Sequence, residues 1–309
     1  MPIPIDKVIA RVPGWSGRSP VVMPMAGGLT NRNYRVDVDA MAYVVRIPGD
    51  GTEWLAIDRQ NELYNTRRAA EAGVAPPVFL YLPDLNVMVL EYIHGETMTT
   101  STMQRPGMPT DIARVLRQLH AGPRFLHDFD MFRITRFYLR ITQEQEIPIP
   151  DDYLRYMPQF ERIEAAFARR PVFTVPCHND LLAANFLDDG RRLWLIDFEY
   201  SGNNDATFEL GNTCQELQYD EPRIEELCAA YFGELLPDKL ARMKLNILLS
   251  DIGWTLWSAI QAKVSTIEFD FWSWVVERWE RARAVMRSPE FEVWLRVLET
   301  PDSSAGGDA

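Results

Sequence analysis

Apolar residues recur at two different periods along this chain, and the change of period divides it. Up to about residue 92 the apolar runs are short, alternating or β-branched, as strands require. Residues 20–25 form one such run and end in Ala26-Gly27-Gly28. Residues 33–38 alternate and 42–47 are rich in valine, and the short turn between them predicts an antiparallel hairpin. Residues 54–72 carry helical spacing and stop at Gly73. Residues 78–81 and 86–92 read as two more strands on either side of Pro83-Asp84.

Beyond His94-Gly95 the spacing becomes helical. Helices are predicted over 111–120, over 153–169, and over nearly all of 221–298, with short strands at 173–177 and 192–196. No internal repeat is visible. The expected class is α+β: a small β-rich lobe with one helix over residues 1–93, a hinge near 91–95, and a large mainly helical lobe over 94–300. The last residues, 301–309, are small and polar and predict a disordered tail.

The 309 residues are enough for two lobes with a sizeable core, and 47% hydrophobic with 25% charged residues is ordinary for a globular protein. The net charge of −12 repels phosphate backbones and argues against general nucleic-acid binding. It suits a cationic substrate, and it equally serves solubility. Cys177, Cys214 and Cys228 are odd in number and contain no Cys-x-x-Cys pair, so neither a disulfide framework nor a zinc site is indicated. The first residues lack a basic start followed by an apolar run. No window approaches the ~18 apolar residues of a membrane span. The expected compartment is the cytoplasm, with no membrane insertion.

The chemistry concentrates in His178-Asn179-Asp180, Asn185 and, after a short apolar strand, Asp197-Phe198-Glu199. Phosphoryl transfer needs a group beside the attacking hydroxyl and oxygen ligands for magnesium. Asp180 suits the first task; Asn185 and Asp197 suit the second, because Mg²⁺ prefers a few oxygen donors. The Asp-x-x-x-x-Asn spacing matches the catalytic loop of protein kinases. His-x-Asp-x₄-Asn arises by chance in roughly one unrelated chain in a hundred, but a following apolar strand that ends in aspartate makes chance a poor account. His178 joins this catalytic group as a brace for the loop rather than as an acid or base.

The N-terminal half offers the matching partners. Gly27 and Gly28 would let backbone approach phosphates, and Thr30 and Asn31 add donors, although ordinary hairpins also use Gly-Gly turns. Arg46 stands where a kinase holds its phosphate lysine, and a guanidinium can do that work through its fork. Glu62, on the next helix, is its natural ion-pair partner. Taken singly, Arg46 and Glu62 read equally well as solvated charges. Glu91 and Ile93, at the end of the last strand, could offer backbone groups to adenine.

These residues resemble the choline/ethanolamine kinase branch of the aminoglycoside-phosphotransferase-like, protein-kinase-like superfamily. The likeness runs from about residue 22 to about residue 285. His178, Asp180, Asn185 and Asp197 carry the superfamily motif. The branch is suggested by Ile196-Asp-Phe-Glu-Tyr-Ser-Gly202, by Phe208-Glu-Leu-Gly-Asn212, and by the text from Trp254 through Trp257 and Lys263 to Phe269. The resemblance implies a protein-kinase-like two-lobed fold, ATP and Mg²⁺ as cofactors, Asp180 as base, Asn185 and Asp197 as metal ligands, and Arg46 with Glu62 as the phosphate-positioning pair. It further implies a substrate-binding set of Asp180, Tyr200, Glu216, Trp254, Trp257 and Trp274. Glu209 departs from the pattern, holding a position often given to aspartate.

The aromatic set has a physical rationale. A quaternary ammonium has no N–H to donate, so aromatic faces and carboxylates must hold it, at roughly 0.5–2 kcal/mol per cation–π contact. Trp254 and Trp257 are three apart and share a helix face. Most of the nine tryptophans are expected in the core, and Trp272, Trp279 and Trp294 read as helix packing. The expected activity is phosphorylation of the hydroxyl of choline or a related amino alcohol; another acceptor, such as thiamine, an aminoglycoside, a sugar or homoserine, is the alternative. The expected partner is a small cationic alcohol, and a homodimer is allowed for.

Overall fold

The computed structural model describes residues 3–15, 17–25, 28, 30–49 and 52–300. The tail at 301–309, and Ala26, Gly27 and Leu29 of the glycine-rich segment, lie outside the described residues. The fold has a β-sheet N-terminal region and a mostly helical C-terminal part, as expected, and the chain forms two compact units: Met1–Phe129 with Val175–Asn203, and Asp130–Thr174 with Asn204–Ala309.

The first unit contains α1 (Ile5–Ile9), β1 (Val21–Pro24), β2 (Asn31–Val38), β3 (Met41–Pro48), α2 (Arg59–Glu71), β4 (Val78–Leu82), β5 (Val87–Glu91), β6 (Glu96–Thr97), α3 (Met108–His120), β7 (Val175–Cys177), β8 (Phe186–Asp188), β9 (Leu193–Leu195) and β10 (Gly202–Asn204). The first five strands make one antiparallel sheet in the order β1-β2-β3-β5-β4. The predicted hairpin is β2–β3. Alternation sends Val36, Val38, Tyr43, Val45 and Ile47 to one face, where they share a core with Val8, Val12 and Trp15. Arg46 therefore faces the other way. It lies between Asn33 of β2 and Met88 of β5.

The helix predicted over 54–72 begins later. Residues 52–55 form a 3₁₀ turn, and the Asp58 carboxylate accepts the Gln60 and Asn61 N–H groups, starting α2 at Arg59. An aspartate N-cap overrides apolar spacing because it satisfies donors that the helix leaves open. A similar difference occurs at 153–169, where 153–156 is 3₁₀ and α5 starts at Met157 ahead of Pro158.

The second unit contains α4 (Met131–Glu144), α5 (Met157–Arg169), α6 (Ala206–Glu216), α7 (Glu221–Phe232), α8 (Pro237–Val264), α9 (Phe271–Arg287) and α10 (Pro289–Glu299). Helix α8 is its axis, touching α4, α6, α9 and α10. The stretch predicted as nearly all helix is interrupted at Gly233, which caps α7 in the left-handed region, and after Val264 and Arg287. Gly211 lets α6 close on α8: a Cβ there would stand 2.8 Å from the Met243 carbonyl oxygen. Trp279 is buried against Tyr153 and Tyr156, as packing requires, but Trp272 is 43% exposed and is not a core residue. Among the described residues no helix is long and apolar enough to cross a membrane.

Candidate active site

The segment after β7 is bent by two non-glycine residues in the left-handed region, Asn179 (φ 67°) and Asp197 (φ 71°). Such backbone costs energy and persists only when its surroundings enforce it. Asn179 is fixed by its own amide, whose Nδ2 donates to the carbonyls of Tyr200 at 3.1 Å and Cys177 at 3.3 Å. His178 Nε2 lies 2.8 Å from the Ile196 carbonyl oxygen. A carbonyl only accepts, so Nε2 carries the proton and Nδ1 accepts the Asp180 N–H, at 3.3 Å. Burial pushes the His178 pKa down to about 4, keeping the ring neutral. His178 thus ties the Asp180 backbone to the residue preceding Asp197.

Asn185 adds a second tie. Its Nδ2 donates to the Asp180 carbonyl at 2.7 Å, and its own carbonyl accepts the Ile196 N–H at 3.0 Å. That orientation leaves Oδ1 as the acceptor end of the Asn185 amide. A carboxylate at Asp197 and an amide oxygen at Asn185 are hard oxygen donors, the set that suits Mg²⁺.

Asp197 sits in a buried charge cluster. Arg46 Nε donates to Glu62 Oε1 at 2.8 Å, and Arg46 Nη2 reaches both Asp197 and, at 3.3 Å, Glu199 Oε2. Arg59 Nη1 bonds Glu62 Oε2 at 2.7 Å and Glu199 Oε2 at 3.2 Å. Carboxylate oxygens of Glu62, Asp197 and Glu199 come within 4.8 Å of one another. Burial alone would neutralise such groups. For Arg46 the charges of Asp197, Glu62 and Glu199 outweigh that penalty and raise its pKa further. Asp197 is half-buried, and against the cost of desolvation the Arg46 charge and hydrogen bond hold its pKa below the usual range. Burial, followed by the nearby Asp197 charge, pushes Glu199 upward. Three carboxylates thus share two guanidiniums.

The glycine-rich segment is anchored to the same cluster. Thr30 Oγ1 donates to Glu199 Oε1 at 2.6 Å and Asn31 Nδ2 to Glu199 Oε2 at 2.8 Å. Gly28 has φ 92°, and a Cβ there would lie 2.8 Å from the Asn31 carbonyl oxygen. Only glycine fits that conformation and that approach. Glu91 closes β5 with its N–H bonded to the Pro77 carbonyl at 2.9 Å, and Ile93 follows it. Sequence reasoning assigned no role to Glu199 or Arg59. A charge inside otherwise apolar text, at Asp197-Phe198-Glu199-Tyr200, was the available signal for Glu199, and the spacing of three to Glu62 was the signal for Arg59.

Tyr200 is buried in the first unit. In the second unit Trp254, Trp257 and Trp274 belong to one run of ring contacts. Trp254 meets Trp257 edge-on at 6.3 Å, Trp257 meets Phe271 at 6.0 Å, Phe271 meets Phe269 at 4.8 Å, and Phe269 meets Trp274 at 4.8 Å. The Arg278 guanidinium lies 4.8 Å from the Trp274 ring centre and bonds the buried Glu216 carboxylate at 3.0 and 3.1 Å. Nearby, Asp251 is bonded through both oxygens by Arg281 at 2.6 and 3.1 Å, yet burial pushes its pKa up to about 6.

A five-stranded sheet carrying a buried Arg–Glu pair, followed by a loop that presents Asp180, Asn185 and Asp197, defines a phosphotransferase of protein-kinase-like fold. The chain belongs to the phosphotransferase enzyme family, whose model matches residues 21–245, and within it to the choline/ethanolamine kinases. A choline/ethanolamine kinase family protein from Mesorhizobium loti superposes with a TM-score of 0.83 at 33% identity, covering 95% of this chain and 98% of that one. The choline kinase LicA of Streptococcus pneumoniae superposes with a TM-score of 0.78 at 27% identity, over 91% and 98% of the two chains. Mouse ethanolamine kinase 1 is 27% identical, over 87% of this chain and 85% of its own length. The protein is thus a phosphotransferase with an alcohol group as acceptor.

Proposed function

We propose that this protein transfers the terminal phosphoryl group of ATP to the hydroxyl of choline or a closely related amino alcohol. The observation that carries the acceptor class is the run of rings from Trp254 and Trp257 to Trp274, with Glu216 alongside. Aromatic faces set edge to face hold a small cation that has no N–H to donate. In this reading residues 1–93 bind nucleotide, and residues 94–300 supply the base and the acceptor site.

Asp180 is the base and orienting group for the attacking hydroxyl. Its backbone is held at the N–H by His178 and at the carbonyl by Asn185, so its carboxylate starts from a fixed position. His178 is a positioning residue. Its ring is neutral, and its Nε2–H is already engaged with Ile196. Asn185 and Asp197 are the ligands for Mg²⁺, which when bound neutralises charge on the transferring phosphoryl group. Arg46, oriented by Glu62, holds phosphate oxygens. Gly28, Thr30 and Asn31 shape the phosphate loop. For adenine, Glu91 would offer its carbonyl, since its N–H is bonded within the sheet, and Ile93 a backbone group beyond it.

The test is a coupled ADP-release assay over choline, ethanolamine, thiamine, homoserine and an aminoglycoside, with Asp180→Asn as control. Saturable turnover of choline or ethanolamine, lost in the control, is expected. No turnover of either amino alcohol, or turnover only of the others, rejects the acceptor assignment.

A further inference from the structure

Arg59 breaks two local preferences at once. It is the first residue of α2, where the helix dipole disfavours a cation, and its side chain is only 12% exposed, although arginine is rarely buried without partners. Its compensation is the pair of carboxylates it touches, Glu62 one turn ahead and Glu199 two residues past Asp197. Among the described residues Arg46 and Arg59 are the only cations bonded to Glu62 and Glu199.

Arg46 is also over-committed. Its Nε and Nη2 serve Glu62, Asp197 and Glu199 together. On the phosphotransferase reading above, Arg46 must turn toward phosphate oxygens and Asp197 toward a metal ion. But for Arg59, that movement would leave Glu62 and Glu199 as buried carboxylates without a counter-charge, a strongly unfavourable arrangement. It would also loosen Glu199, which anchors Thr30 and Asn31 of the glycine-rich segment.

We propose that Arg59 is a positioning residue for the nucleotide: it is the counter-ion that keeps Glu62 and Glu199 in place when Arg46 releases them for the phosphates. Arg59 already bonds both carboxylates, so it holds them without moving. Its anchorage on the first turn of a capped helix fixes its direction.

The test is calorimetric binding of Mg-ADP, which needs neither turnover nor a known acceptor. Arg59→Gln should weaken binding about tenfold, and Arg59→Lys, which keeps the charge, should recover most of the loss. The double variant Arg59→Gln/Glu199→Gln should bind less than tenfold more weakly than Glu199→Gln alone, because only the Glu62 charge still needs compensation. Binding by Arg59→Gln within twofold of wild type overturns the proposal, as does a double variant whose losses add. If Arg59→Gln does not fold, the comparison of the double variant with Glu199→Gln decides in the same way. A wild type that binds Mg-ADP but phosphorylates no amino alcohol refutes the acceptor assignment and leaves this comparison intact.

Discussion

The Thr30 hydroxyl donates a 2.6 Å hydrogen bond to the Glu199 carboxylate across 169 positions of sequence. Both residues are buried, so the bond joins the glycine-rich segment to the loop carrying Asp197, just past β9, without competition from water. Hydrogen bonds to charged groups are worth about 1.5–3 kcal/mol net.

Thr30→Val keeps the shape of the side chain and removes that donor. Its KM for ATP should rise roughly 10- to 100-fold, while the KM for the acceptor stays within about twofold. Steady-state kinetics with each substrate varied in turn checks this, and equal rises in both KM values would contradict it.

Asp197→Ala removes the only acidic member of the proposed metal pair. Turnover at saturating Mg-ATP should fall by about a thousandfold, as expected when several kcal/mol of transition-state charge stabilisation is lost. Chelation of Mg²⁺ should silence the wild type reversibly. A variant that retains more than a tenth of wild-type turnover would remove Asp197 from the metal site.

Two buried histidines predict acid sensitivity. Burial lowers the pKa of His178 to about 4 and of His120 to about 3, against about 6.5 in the unfolded chain. A base with a depressed folded pKa contributes stability above the unfolded pKa and loses it as the pH falls. Each histidine should therefore cost about 2 kcal/mol between pH 7 and pH 5. Urea unfolding of wild type and His120→Gln at both pH values measures one of these contributions. An identical pH slope in the two proteins would show that His120 is not responsible.

Asp251 predicts the opposite sign. Its folded pKa is pushed up to about 6, so its contribution is greatest below the unfolded value near 4 and is lost as the pH rises through 6. Asp251→Asn should gain on the wild type by about 2 kcal/mol between pH 4 and pH 7. Thermal unfolding across that range reads the difference directly, and a constant offset would mean that Asp251 is ionised throughout.

The β2–β3 hairpin was legible because alternation and a tight turn are local signals. The spacing of Asp180, Asn185 and Asp197 was legible because the loop is contiguous. Helix α6 was not: residues 207–215 are all buried, so no exposed face marks its period. The start of α2 was misplaced because the Asp58 cap competes with apolar spacing that runs on through it. Arg59 and Glu199 were illegible for another reason. Sequence shows that a residue is charged, but not that its partner lies 140 positions away.

Every residue from 248 to 261 of α8 is buried, and both Trp254 and Trp257 lie within that stretch. A change of acceptor by exchange of either tryptophan would open a cavity or force repacking inside the axis of the second unit, at about 3–5 kcal/mol for truncation to alanine. The segment 265–270, half-buried or exposed throughout, carries Phe269 against Trp274 and bears little of that load. On the proposed acceptor site, a laboratory library that seeks a new acceptor preference therefore has its least destabilising route through this segment, with the helix left unchanged.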